Sequence, residues 1–137
     1  DKSVKFILTA ENIKQYEDQA LLRLYPVKIK AYDTQDDNEL LYTFQADTGK
    51  YYNKKGRLDL EGPVSIKRDK IKLSFEDLTW QDKDNNLTGK KVKMTGPDYS
   101  VSGARFEANS RLDHFVFYGN KENKARFTWK ESTDETE

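Results

Sequence analysis

The sequence predicts an all-β fold in which two antiparallel sheets face each other, or one sheet rolls over onto itself. Three observations carry this. Apolar and polar residues alternate along most of the chain, and no segment shows an apolar stripe of helical period. A bent strand recurs four times. Clusters of Asp, Asn, Gly and Lys punctuate the runs at short intervals, as turns between strands do. A strand with one dry face needs a second apolar face to cover it, so sheet must pack on sheet.

The clearest bent strand is residues 58–66, L-D-L-E-G-P-V-S-I. Leu58, Leu60, Val64 and Ile66 fall on one face, with Asp59, Glu61 and Ser65 between them. Gly62 and Pro63 interrupt the run where a bend or bulge fits and no N–H is needed from the proline. Weaker copies read Leu22, Leu24, Pro26, Val27, Ile29; then Leu87 through Val92 to Met94; then Phe115, Phe117, Gly119.

In chain order, Phe6, Leu8 and Ala10 predict a first strand ending at a turn over Glu11 and Asn12. Residues 13–20 read as a further strand and turn, and residues 22–32 as a long strand bent at Pro26. Residues 33–39, D-T-Q-D-D-N-E, read as a solvated turn. Tyr42, Phe44 and Ala46 repeat the pattern of Phe6, Leu8 and Ala10, and Asp47-Thr48-Gly49 turns the chain into Tyr51-Tyr52. After the central strand, Arg68-Asp69-Lys70 leads into Ile71, Leu73 and Phe75, and Leu78 and Trp80 continue to a polar run at 81–86. Residues 87–95 alternate again, and Gly96-Pro97-Asp98 turns into Tyr99, Val101, Phe106 and Ala108. Leu112 precedes a strand at 115–119, a hairpin-like connection at 120–124 and a last strand at 125–129. Residues 1–130 form one expected domain; the acidic end at 131–137 has nothing to bury and is expected to be loose. Ala10 to Ala46 and Val27 to Val64 recur at offsets of 36 and 37 residues, an internal repeat.

Composition excludes several functions. The chain's 24 basic and 24 acidic residues cancel, which argues against nucleic acid as a partner. There is no cysteine and only one histidine, so disulfides and thiolate metal sites are excluded and no cofactor is implied. No stretch reads as a membrane span. Asp47, Asp77 and Glu107 stand in or beside turns, where solvated carboxylates belong. His114 alternates outward if Phe115 and Phe117 point inward, and Ser110 and Asp113 beside it have no spacing that makes a triad. Gly49 and Gly56 read as turn glycines with positive φ. Basic clusters at Lys28-Lys30, Lys54-Lys55-Arg57, Lys67-Arg68-Lys70 and Lys90-Lys91-Lys93 read as protection of sheet edges, with an anionic partner as the other reading.

The inward set is more informative. Leu8, Phe44, Leu73 and Phe106 occupy one repeat position, and Leu24, Leu60 and Phe117 another. These residues either fill a small core completely or line an apolar trough between the sheets.

The order Phe44-x-Ala46-Asp47, a turn, Tyr51 or Tyr52, then Leu58-x-Leu60-x-Gly62-x-Val64 resembles the repeat of the lipopolysaccharide-export bridge proteins. These are the OstA-like family that includes LptA and LptC. Residues 101–109, V-S-G-A-R-F-E-A-N, followed by Leu112 and residues 115–120, are similar to the closing signature of LptC, the component anchored in the inner membrane. The resemblance runs over residues 4–120. It implies an open, twisted β-jellyroll without enzymatic activity, in which the full-length alternation predicts about a dozen or more short strands. It also implies a lumen in which Leu8, Leu24, Phe44, Leu60, Leu73, Phe106 and Phe117 contact the acyl chains of lipid A. The implied partners are lipopolysaccharide, the Lpt permease complex at the inner membrane and an LptA-like bridge protein, met through edge-strand pairing. The implied location is the periplasm, with an N-terminal transmembrane helix preceding the present chain; the soluble bridge component A of the same system, which has no such helix, is the close rival. An extracellular β-sandwich adhesion module, with a filled core and a loop-borne site, is the alternative from a different class.

Overall fold

The computed structural model describes residues 4–81 and 85–131. The expected loose tail falls mostly at 132–137, and part of the polar run at 82–84; both lie outside the described residues. Ten strands follow in chain order: β1 (Val4–Tyr16), β2 (Leu21–Asp33), β3 (Glu39–Ala46), β4 (Thr48–Tyr52), β5 (Arg57–Arg68), β6 (Ile71–Gln81), β7 (Asn86–Thr95), β8 (Tyr99–Asn109), β9 (Phe115–Tyr118) and β10 (Arg126–Trp129). A single 3-10 turn, Glu17–Gln19, joins β1 to β2. Every pairing is antiparallel, in the order β1-β2-β3-β5-β6-β7-β8-β10, with β4 between β2 and β5 and β9 on β8.

The two facing layers come from one continuous ladder, because the long strands bend and change layer halfway. The start of β2 pairs with β4, while its end pairs with β3. In the same way β5 meets β4 with residues 57–61 and β3 with residues 65–67. β8 meets β10 with residues 99–102 and β9 with residues 105–108. The first layer thus holds the front of β1, the back of β2, β3, the back of β5, the front of β6, the back of β7, the front of β8 and β10. The second layer holds the complementary halves with β4 and β9.

The sequence explains where each bend falls. Glu11 and Pro26 drop out of the β1–β2 register together, so the proline's missing N–H interrupts no ladder bond. The β5–β6 register shifts between Glu61 and Val64, around Gly62-Pro63. Gly62 sits at φ +83°, and a Cβ there would stand 2.7 Å from that of Asp47, so both conformation and space exclude a side chain. In β7 the bend falls on Lys91 at φ 53°. Beside this seam Ala10 opposes Val27 and Val27 opposes Ala46. Small residues there let the layers converge, and they are the residues that recur at 36–37.

Several local expectations are corrected. Glu11 and Asn12 form no turn; β1 runs through them to Tyr16. The segment 120–124 is not a hairpin connection, since β9 and β10 lie end to end along β8 and do not pair with each other. The stretch 119–125 therefore crosses from one layer to the other. Asp33, read as part of a solvated turn, is buried, with 8 % of its surface exposed. Gly49 is not a turn glycine: it is a buried residue of β4, where a Cβ would press to 3.0 Å from Val27. Gly56 does take the positive φ expected of it, at 59°. Among the described residues the strands number ten, fewer than the expected dozen or more, because bent strands that look like two in sequence are continuous.

Candidate functional site

Cross-strand partners in an antiparallel ladder share a face, so the interior can be read strand by strand. In the first layer one row runs Leu8, Ile29, Phe44, Ile66, Leu73, Met94, Val101 and Phe127, each opposite the next. In the second, Ile13, Leu24, Gly49, Leu60, Leu78, Gly89, Phe106 and Phe117 form the matching row. No polar side chain interrupts either row.

The seven residues singled out from sequence all lie in these rows. Leu24, Phe44, Leu60, Leu73 and Phe106 are buried, while Leu8 and Phe117 are half-buried against the core. Phe106 belongs with Leu24, Leu60 and Phe117, not with Leu8, Phe44 and Leu73, because β8 has already bent into the second layer before reaching it. Its ring meets Phe75 of the first layer edge-on at 5.1 Å, across the interior. Phe115, expected inward, stays 36 % exposed at the rim, 6.0 Å from the Phe106 ring. Glu61 and His114 are exposed as expected; Asp59 is half-buried, held on the outer face by Arg57 at 2.9 Å and Thr79 at 3.2 Å.

Most of the interior is filled by the protein's own side chains. An apolar pocket of about 180 Å³ lies between the layers, walled by Phe6, Leu8, Ile29 and Phe44 on one side and Tyr51, Leu58 and Trp80 on the other. Phe6 and Trp80 meet across it at 5.3 Å. Phe6, Ile29, Tyr51, Leu58 and Trp80 are not among the lining residues singled out from sequence. Parity could have found Phe6, Ile29, Leu58 and Trp80, since each stands two residues from Leu8, Val27, Leu60 or Leu78. The Trp80 indole N–H is buried without an acceptor, a cost an aromatic accepts only where its ring area is needed.

At both ends of the rows the inner face is uncovered. Ile13, in the second layer, is 58 % exposed on the outermost strand β1; Phe127, in the first layer, is 56 % exposed on β10. Trp129 stacks on Phe127 at 5.6 Å and is also exposed. The strands carrying them, β1 and β10, each have a single partner in the ladder and offer unpaired backbone groups along the other side.

Elsewhere the layers are tied by polar bonds from the segment between β8 and β9, residues 110–114. Tyr42 Oη, reaching from β3, donates to the Ser110 carbonyl. Arg68, at the end of β5, donates to the Leu112 carbonyl at 2.5 Å. Arg111 bonds Asp33, at the end of β2, at 2.7 Å. Asn109 secures the segment internally, donating to Asp113 at 2.6 Å and accepting from the N–H groups of Asp113 and His114. The Arg111 hydrogen bond, helped by the Gln35 N–H, holds the Asp33 carboxyl below the usual range. The Asn109 bond does the same for Asp113, and burial pushes the Tyr42 hydroxyl up. Ser110 is buried and its Oγ has no partner. It is held by its backbone, and Ser110, Asp113 and His114 serve as parts of a strap. Asp47, Asp77 and Glu107 lie apart from it, Glu107 paired on the surface with Arg105. Among the described residues no group of His, Asp and Glu is arranged to hold a metal, and no helix is long and apolar enough to cross a membrane.

A single antiparallel ladder folded into two layers, with an unbroken apolar interior and uncovered edges, defines an OstA-like β-jellyroll. The chain belongs to the LptC-related lipopolysaccharide-assembly family, whose model matches residues 2–122. Members of that family are non-catalytic transport and bridging domains of the periplasm. The fold is similar to that of LptH from Pseudomonas aeruginosa, described as the LptA-homologous periplasmic component of the lipopolysaccharide transport device. The TM-score is 0.66 over 93 % of this chain and 96 % of that one, at 8 % identity, a likeness of fold. No curated protein matches the chain.

Proposed function

We propose that this domain carries lipopolysaccharide without altering it, holding lipid A acyl chains between its layers against Leu8, Leu24, Phe44, Leu60, Leu73, Phe106 and Phe117. In this reading an N-terminal transmembrane helix ahead of the chain tethers it to the inner membrane. One sheet edge meets the Lpt permease complex and the other an LptA-like bridge protein, each by adding a strand to the ladder. The observation that carries the reading is the pair of uninterrupted apolar rows, each ending on an exposed inner face. A core made only to be filled has no need to run out to both edges.

The pocket of about 180 Å³ is smaller than the ~300–1,000 Å³ of ordinary ligand pockets. Acyl chains therefore enter by parting the layers there, exchanging one apolar contact for another, which apolar surfaces allow because their attraction is non-directional. The test is photocrosslinking in a transporting cell. A photoreactive residue at Leu8 or Phe44, both in the pocket wall, labels lipopolysaccharide, and one at outward Glu61 does not. Equal labelling at both kinds of position refutes a defined lumen.

A further inference from the structure

The chain is neutral overall, yet its basic residues are not evenly spread. On the outer side of the bend, beside β10, lies an open cleft of about 910 Å³. Five cationic side chains line it, Lys90, Lys91, Lys121, Lys124 and Arg126, against the carboxylates of Glu76 and Glu122. Lys91 is paired with Glu76 at 3.0 Å. Among the described residues no carboxylate forms an ion pair with Lys90, Lys121, Lys124 or Arg126. Sheet-edge protection does not account for this grouping, because Lys90 and Lys91 stand in β7, an inner strand of the ladder.

The cleft exists because the segment between β9 and β10 arches over the bend in a fixed shape. Asn120 Oδ1 accepts from the N–H groups of Glu122 and Asn123, at 3.0 and 2.6 Å, and the Asn120 N–H donates to the Asn123 carbonyl at 2.8 Å. That turn brings Lys121 and Lys124 into one cleft with Lys90 and Lys91. The two ends of the same segment carry inner-face aromatics. Phe117 closes the second-layer row, and Phe127, directly after Arg126, closes the first. The segment carrying Lys121 and Lys124 thus runs between the residues that end the two rows, at the β9/β10 edge of the ladder.

We propose that this cleft receives the phosphate groups of a phosphorylated amphiphile whose acyl chains occupy the slot at that end. The proposal rests on the transport reading above and adds a headgroup site to it. Closely set, unpaired ammonium and guanidinium groups in a concave surface focus potential on an anion, and phosphate offers three oxygens to several donors at once. Apolar contacts in the slot and charge contacts in the cleft then select for a molecule that has both.

The test measures binding of lipid A, with and without its phosphates, to the parent protein and to a Lys121→Gln/Lys124→Gln double variant. Both positions are exposed, so the variant is expected to keep its fold, checked by its unfolding midpoint. The double variant is expected to bind phosphorylated lipid A about tenfold more weakly, the sum of two exposed charge contacts. It should bind the dephosphorylated form as the parent does, and the difference should shrink in high salt. Unchanged affinity of the double variant for the phosphorylated form overturns the headgroup site and leaves the slot standing. Failure of the parent to bind either form overturns the transport reading itself. Displacement of lipid A by inorganic phosphate alone at millimolar concentration marks a site for free phosphate and overturns the amphiphile as its source.

Discussion

The pocket wall and the 110–114 strap hold the same two layers together with opposite materials. Around Phe6, Leu8, Phe44 and Trp80 the layers meet through ring and methyl contacts alone, with unfilled space left between them. At the strap they meet through directed bonds: a tyrosine hydroxyl and an arginine on backbone carbonyls, and a second arginine on a buried carboxylate. An apolar contact can be traded for a similar one with a guest chain at little net cost, since neither has a preferred direction. A buried hydrogen bond cannot, because the partner left behind stays unsatisfied. Parting the layers thus costs less at the pocket wall than at the strap.

The largest test of that contrast is Phe44→Asp. A carboxylate among the apolar groups of the pocket wall should cost about 4 kcal/mol or more, from lost burial and an unpaired charge. Ile13→Asp, on the same inner face but uncovered, should stay within about 0.5 kcal/mol of the parent. Urea denaturation measures both, and similar losses would mean that the β1 end is closed. Next in size, Tyr42→Phe removes only the hydroxyl and strands the Ser110 carbonyl. A loss of about 1–2 kcal/mol is expected, while labelling of the pocket wall by lipid persists or rises; unchanged stability would remove the strap's claim to hold the layers.

The smallest effect is in acid. Asp33 and Asp113 have folded values below their unfolded ones, so the stability they contribute is fully present above the ordinary carboxylate value of about 3.9 and is lost as pH falls through the folded values. Asp33→Asn should flatten that acid limb of the urea midpoint, and a limb of parental steepness would show that the Arg111 pairing is not what holds the carboxyl down.

How much of this is legible in the sequence follows from what period-two alternation encodes. It states which residues share a face of one strand, so alternation alone places Leu24, Phe44, Leu60 and Leu73 inside. It does not state which layer that face belongs to once a strand bends. Repeat position groups Phe106 with Leu8 and Phe44 for that reason, although it lies in the row of Leu60, Leu78, Gly89 and Phe117. Gly49 reads as a turn residue because close packing between Val27 and Leu60 leaves no mark in the local pattern. The strap is invisible at this level: Asp33 and Arg111 are 78 positions apart, and an aspartate in D-T-Q-D-D-N-E looks solvated until its partner is known. The basic clusters are visible as composition, but only the arch at 119–125 brings Lys121 and Lys124 into one cleft with Lys90 and Lys91.

If neighbouring domains join at the uncovered ends of the two rows, as the proposed function has it, those ends act as two unlike lips. One lip carries Ile13, in the second-layer half of β1; the other carries Phe127, in the first layer on β10. The two lips differ in sequence, in layer and in strand length, thirteen residues in β1 against four in β10. A join that seats one lip on the other is head to tail, so it leaves a fresh lip at each free end and does not close on itself. Units added in this way keep a single polarity along the row, and a chain threaded through them meets the layers in the same order at every step.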